Sequence, residues 1–427
     1  MRFVRELVRF IWAHITVLMR ASGFFAACAG LALLTCGAAS TDPAFEGVKP
    51  IPPPGIAISE TDRTELEKGV TDLNKEIELA RMELGARPAL LDLLPDAQIY
   101  LKAVDWALRY NEFYRTNEIQ TARQLLTEGM ARVRALREGQ APWASATGLV
   151  VRAYVSRIDG SVQPYGLVVP PSYRPDSSHR YRLDFWCHGR GEQLSELSFL
   201  SDRERNRGEF APADTIVLHL YGRYCNANRF AGETDLFEAL DGPPVMTDRS
   251  WSAHFRKQGG QWAVTESVDD LSLHKQHGLQ GPIDDAFMDA FIMVRPTGQP
   301  MNEKVGAWAT AEMDHAIDHW RRQFRGEARI KSDADLTDVE MAANNLVIWG
   351  DPQSNKLLAE IASRLPILWD AHGVHTPQED YPADKYVPVL IYPNPLNPKR
   401  YVVINSGFTF REFDYTNNAR QSPKLPD

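Results

Sequence analysis

From Leu66 the apolar positions continue at Val70, Leu73, Ile77, Ala80 and Leu84, alternating steps of four and three that lay one stripe along a helix. Ser59 with Asp62 ahead of the stripe predicts a capped start. A second helix is expected to open at Pro95 and run through Ile99, Val104, Trp106 and Leu108, and a third to cover Ile119 to Leu136. The first stripe lasts only about three heptads before Gly85 and Pro88, which favours packing within the chain over a dimerising coiled coil. From Gly148 the period shortens to that of strands, giving Leu149–Ser156, Tyr165–Val169, Arg182–Cys187 and Thr215–Leu220, with a helical connection from Glu192 to Asn206 between the last two. Strand, loop, helix, strand is the order of a wound α/β sheet, with chemistry expected at the carboxyl ends of the strands.

A second passage of the same kind follows. Phe291–Arg295, Asn345–Gly350 and the pair Val387–Tyr392 and Tyr401–Asn405 read as strands, Asn302–Arg325 and Asn355–Arg364 as helices, and Arg249–Ala263 as β-rich and irregular. The expected fold class is therefore α/β, with an N-terminal helical segment, a partial wound sheet and a C-terminal α/β region. The corresponding bounds are 1–41 for a signal segment, 42–58 for a linker rich in proline, 59–142 for the helices, 143–242 for the first sheet and 243–427 for the second region.

The signal expectation rests on Ala21–Leu34, an apolar stretch preceded by arginines and followed by small residues through Ser40, with Met19 as an alternative start. It predicts a secreted or periplasmic protein with no stable membrane span after signal removal. A membrane anchor is the alternative, although Arg20 interrupts the union of this stretch with Phe10–Leu18. Cys28 and Cys36 lie within the signal, which leaves Cys187 and Cys225, read as free buried thiols in preference to a disulfide. A net charge of −9 with no dense Lys/Arg run argues against nucleic acid as a partner and leaves small-molecule, peptide or glycan ligands. No residue pattern calls for a cofactor.

Candidate chemistry concentrates where strands end. In His188-Gly189-Arg190-Gly191 each glycine lets main-chain N–H groups approach a ligand closely, and one donor aimed at an oxyanion is worth roughly 2.7 to 4 kcal/mol. The plain alternative is a sharp turn. A second loop beyond the next strand offers Tyr221, Arg223, Tyr224 and Asn226 at the same edge. No G-x-S-x-G elbow occurs between Met1 and Asp427, and Ser195 and Ser198 lie on a helical connection without the strained turn that would present a nucleophile. Cys187 and His188, as neighbours on a strand, should point to opposite faces.

Other polar groups read as structural. His315 and His319 sit one turn apart but off the buried stripe of Met313, Ile317, Trp320 and Phe324, while His274, His277, His372 and His375 fall in polar loops without an evident third ligand. No metal site is expected. Gly350-Asp351 precedes a helix, as an anion site or a simple cap, and Asp284 and Asp285 read as first-turn acids.

The stretches PYGLVVPPSY from Pro164, LDFWCHGRGEQLSELSFL from Leu183 and ADTIVLHLYGRYCNANRFAGETDLFEAL from Ala213 resemble the opening of secreted α/β-hydrolases of the prolyl-oligopeptidase type, as found in planctomycete-like bacteria. DRSWSAHFRK, GPIDDAFMDAF, LVIWGDPQSN and the run from Val387 to Tyr415 resemble their trailing region. The resemblance implies an α/β-hydrolase-like first sheet and places His188, Gly189, Arg190 and Gly191 on the oxyanion or substrate side. It transfers no nucleophile, acid or base. In such proteins the helix near Asp235 leads to a further strand and the serine elbow, whereas here Asp241-Gly-Pro-Pro enters the trailing region directly, and Lys424–Asp427 reads as a truncated end. The expectation is a hydrolase-type chain lacking its catalytic segment, or a carbohydrate- or peptide-binding module derived from one. Such a loss would also leave Thr215–Leu220 with an unpaired edge and favour association.

Overall fold

The computed structural model describes residues 51–175, 178–189, 191–226, 228–241, 254–265 and 279–410. The signal segment, Arg190, His274 and His277 lie outside the described residues. Helices and sheets with both parallel and antiparallel strands make this an α/β chain.

The three expected helices form. In α1 (Glu60–Glu83) the Ser59 side chain accepts the Asp62 N–H, and Leu66, Leu73, Ile77 and Ala80 face inward. The second helix, α2 (Pro95–Arg109), starts on its proline, and α3 (Glu118–Arg137) completes the bundle. Asp96 on α2 is the fastener between bundle and sheet. Buried completely, it accepts the Ala153 N–H at 2.7 Å, Arg152 Nε at 2.7 Å and Trp143 Nε1 at 2.9 Å, so its charge is compensated on every side.

The first sheet contains β1 (Gly148–Val155), β2 (Val162–Val169), β3 (Arg182–Trp186) and β4 (Thr215–Leu220) in the order β1-β2-β4-β3. Strands β1 and β2 form an antiparallel hairpin, β2 and β4 are antiparallel, and β4 and β3 are parallel. This corrects the expected open edge: β4 is interior, because β2 pairs along its other side, and the strands without an outer neighbour among the described residues are β1 and β3. The connecting helix α4 (Glu196–Arg205) packs with the bundle on one face, and α5 (Ala231–Asp241) covers Tyr154, Tyr165, Leu218 and Leu220 on the other.

After α5 a hairpin of β5 (His254–Gln258) and β6 (Gln261–Thr265) turns on Gly259 and Gly260, both at positive φ, as a two-residue connection between right-twisted strands requires. The second sheet adds β7 (Phe291–Arg295), β8 (Ile330–Ser332), β9 (Asn345–Ile348), β13 (Leu390–Asn394) and β14 (Asn397–Ile404) in the order β13-β14-β9-β7-β8, parallel except for the β13–β14 hairpin. Its alternation is clean. Ile292, Val294, Leu346, Ile348, Val402 and Ile404 meet the short helix α8 (Lys356–Ile361) on one face. Phe291, Met293, Val347 and Val403 meet the long helix α6 (Glu303–Phe324) on the other, together with Phe287, Phe408 and Phe410. Between β8 and β9 lies α7 (Asp338–Ala343), and a small meander of β10 (Leu368–Asp370), β11 (Gly373–His375) and β12 (Asp380–Pro382) precedes β13. Among the described residues no helix is long and apolar enough to cross a membrane.

Candidate functional site

Because β1 and β4 are both antiparallel to β2, and β3 is parallel to β4, the carboxyl ends of β1, β3 and β4 lie along one rim. Three connections meet there: the turn from Ser156 to Ser161, the loop that begins at Cys187 and the loop from Tyr221 to Phe230. The loops after β3 and β4 interlock. His188 Nε2 lies 2.8 Å from the Tyr221 carbonyl and Nδ1 lies 2.7 Å from that of Gly189. Gly191 N–H points at Cys225 Sγ at 3.3 Å, Tyr221 donates its hydroxyl to the Leu194 carbonyl at 3.0 Å, and Tyr224 donates to that of Glu192. Sequence reasoning thus selected groups that do meet. What they do there differs from lining an open cleft.

Arg223, fully buried, forms a two-point ion pair with Asp159 at 3.0 and 3.2 Å and donates to the Phe324 carbonyl at 3.3 Å. Asp159 also accepts Trp320 Nε1 at 2.9 Å. Burial is the strongest single influence and pulls the Asp159 carboxyl up, but the Arg223 charge together with hydrogen bonds from Arg223, Ser161 and Trp320 outweighs it and holds the group below its ordinary range. Asn226, also buried, turns its amide back to the Gly222 and Arg223 carbonyls at 2.7 and 3.1 Å. The loop carries positive φ at Gly222, Arg223 and Tyr224, conformations that persist in side-chain-bearing residues only where surrounding contacts dictate them.

The lid on this rim is the carboxyl end of α6. Arg325, its left-handed cap residue, is buried between Glu196 at 2.5 Å and Glu112 at 2.7 Å, with Lys102 3.1 Å from Glu196. Glu196, despite complete burial, is kept at about 2 by Arg325 and Lys102. One ionic cluster therefore joins α2, the start of α4 and α6. The next residue must be glycine: a Cβ at Gly326 would lie 1.7 Å from Asp159 Oδ2. Sequence reasoning missed Asp159, Glu196 and Arg325, because lone charges at element ends carry no spacing signal. Asp235 completes the site at the head of α5, accepting the Gly222 N–H at 2.8 Å and the Tyr154 hydroxyl, and burial raises it to about 6.

Ser195 is the N-cap of α4, accepting the Ser198 N–H, and the Ser198 hydroxyl donates to the Ser195 carbonyl at 3.0 Å. The two ring nitrogens of His188 lie beside the Gly189 and Tyr221 carbonyl oxygens, and neither is hydrogen-bonded to Ser195 or Ser198. Both described cysteines are free, but Cys187 is exposed while Cys225 is buried.

Several groups expected elsewhere find other roles. His319 is buried, against the expectation that it lies off the stripe, because Phe408 and Phe410 cover that flank of α6, and its Nε2 lies 2.9 Å from the Phe410 carbonyl. His315 stacks on it from the exposed side. His375 lies on β11 rather than in a loop, between Asp380 at 2.7 Å and Asp370 at 3.3 Å, while His372 remains in the exposed turn before it. Asp284 and Asp285 act beyond their own turn: Asp284 binds the N–H and hydroxyl of Thr409, and Asp285 accepts the Tyr401 hydroxyl. Asp351 accepts three main-chain N–H groups, and Asn355 caps α8. Among the described residues no group of three His, Cys, Asp or Glu could hold a metal ion.

An open cleft lies beside the rim. It measures about 620 Å³ and is lined by Arg157, Glu238, Thr234, Met288, Asp289 and Arg400, between the end of β1, α5 and the second sheet. Comparison with protein-family profiles, curated proteins and solved structures gave no match.

Proposed function

We propose that this chain is a hydrolase-derived extracytoplasmic protein without serine-hydrolase turnover. The observation that carries it is the filled rim: where an acyl-transfer enzyme needs an open pocket with a hydroxyl, a base and free oxyanion donors, Arg223 and Asp159 lie under Trp320 and Phe324. Ser195 caps α4, the Ser198 hydroxyl donates to the Ser195 carbonyl, and the His188 ring nitrogens lie beside main-chain carbonyls rather than a serine hydroxyl. The resemblance of the segments from Pro164 to Leu240 to prolyl-oligopeptidase-type enzymes supports the derivation, and the apolar stretch Ala21–Leu34 supports export. A fluorophosphonate probe on purified protein tests the loss of turnover: no covalent label is expected, and labelling of a single serine would overturn it.

The cleft beside the rim favours a second reading, a binding module for small peptides or glycans. Its volume falls within the range of small-molecule sites, and Arg157, Glu238, Asp289 and Arg400 supply both signs of charge. Titration calorimetry with peptide and glycan panels should give heat that Arg400→Ala abolishes. No heat from any panel member ends the binding reading without touching the first.

A further inference from the structure

We propose that the outer edge of β3 pairs antiparallel with β3 of a second copy of this chain, in the register centred on Leu183. The strand is terminal in its sheet among the described residues, so the main-chain donors and acceptors along its outer side have no strand to meet. It is also poorly covered: Phe185 is 43% exposed on one face and Trp186 is 37% exposed on the other. An edge with these features attracts another strand unless charge prevents it.

The charges decide the occupant. Arg182 and Asp184 lie on the same face, two residues apart, with Arg182 71% exposed and its Nε 2.6 Å from Asp184 Oδ1. Asp184 is 15% exposed, and its Oδ2, buried, has no hydrogen-bond partner among the described residues. Charges of one sign would repel an identical strand. Opposite signs two residues apart are self-complementary when the two-fold passes through Leu183, because each Arg182 then stands opposite Asp184 of the other copy. The same register sets Leu183 against Leu183 and Phe185 against Tyr181, apolar against apolar. A two-fold at Asp184 would oppose two carboxylates, and one at Phe185 would leave both charges without an opposite partner. The pairing joins two four-stranded sheets into one.

Charge reversal tests the register on the full chain. Light scattering after size exclusion should give twice the mass of one chain for the unaltered protein. Arg182→Glu and Asp184→Arg should each weaken self-association at least about tenfold, since both create like-charge oppositions. Arg182→Lys should keep the dimer. Mixing the two reversed variants should restore dimers, because the glutamate introduced in one chain then faces the arginine introduced in the other, while the unaltered Asp184 of the first still faces the unaltered Arg182 of the second. A wild-type protein that stays monomeric, or reversed variants that still dimerise with unchanged melting curves, would overturn the proposal. So would failure of the mixture to associate.

Discussion

The two sheets of this molecule are built from similar strands and end differently. In the second sheet β9 is buried at every position and β7 at all but its last, with helices on both faces. In the first, β4 is nearly as well covered, yet its parallel neighbour β3 is exposed or half-exposed throughout. The difference is one of layers. The second sheet has α6 and α8 spanning its faces, whereas α4 and α5 of the first reach β1, β2 and β4 but leave β3 at the margin. The first sheet is therefore tied to the rest of the chain by an ionic seam at its rim as well as by apolar packing, and the second by apolar packing on both faces.

The most severe test of that contrast is Arg223→Ala, which leaves Asp159 charged and unpaired in the interior. Loss of about 3 to 5 kcal/mol is expected in denaturant unfolding. A comparable but purely apolar loss, about 2 to 5 kcal/mol, is expected from Ile348→Ala on β9, where a cavity opens between sheet and α8. If Arg223→Ala proved milder than Ile348→Ala, the seam would be secondary.

Acid sharpens the comparison, since the buried carboxylates of the rim titrate within it. Glu196, lowered from its ordinary 4.5 to about 2, contributes stability that is present above pH 4.5 and lost as the pH falls towards 2. Asp235 has the opposite sign: raised from 3.8 to about 6 by burial, it favours the folded state below pH 3.8, a contribution lost as the pH rises through 6. Melting curves should therefore show Glu196→Gln flattening the acid limb and Asp235→Asn flattening the rise of that cost between about pH 4 and 6. The smallest effect is expected at the open strand. Phe185→Thr should cost one chain only about 1 kcal/mol, because 43% of the residue stays exposed in the fold.

Several elements were legible in the chain because each carries its own signature: the stripe of α1, the apolar strand runs of β1 and β2, and the long helix α6. Others were too short to show one, among them β8, α7 and the three-stranded meander. The same limit applies to sites. The adjacency of the loops at His188 and Tyr221 follows from strand order and was readable, but whether Arg223 faces solvent or Asp159 depends on a helix end roughly a hundred residues further along.

By itself, then, the sequence determined the elements with sustained periodicity, the α/β class and the absence of a serine elbow, since these depend on neighbours within a few residues. Only the tertiary structure decided that β3 rather than β4 forms an edge, that His319 is buried, and that the rim of the first sheet is filled by Arg223, Asp159 and the end of α6. Such outcomes depend on charges and faces brought together across the whole chain, and a buried ion pair leaves no periodic trace in either strand or helix.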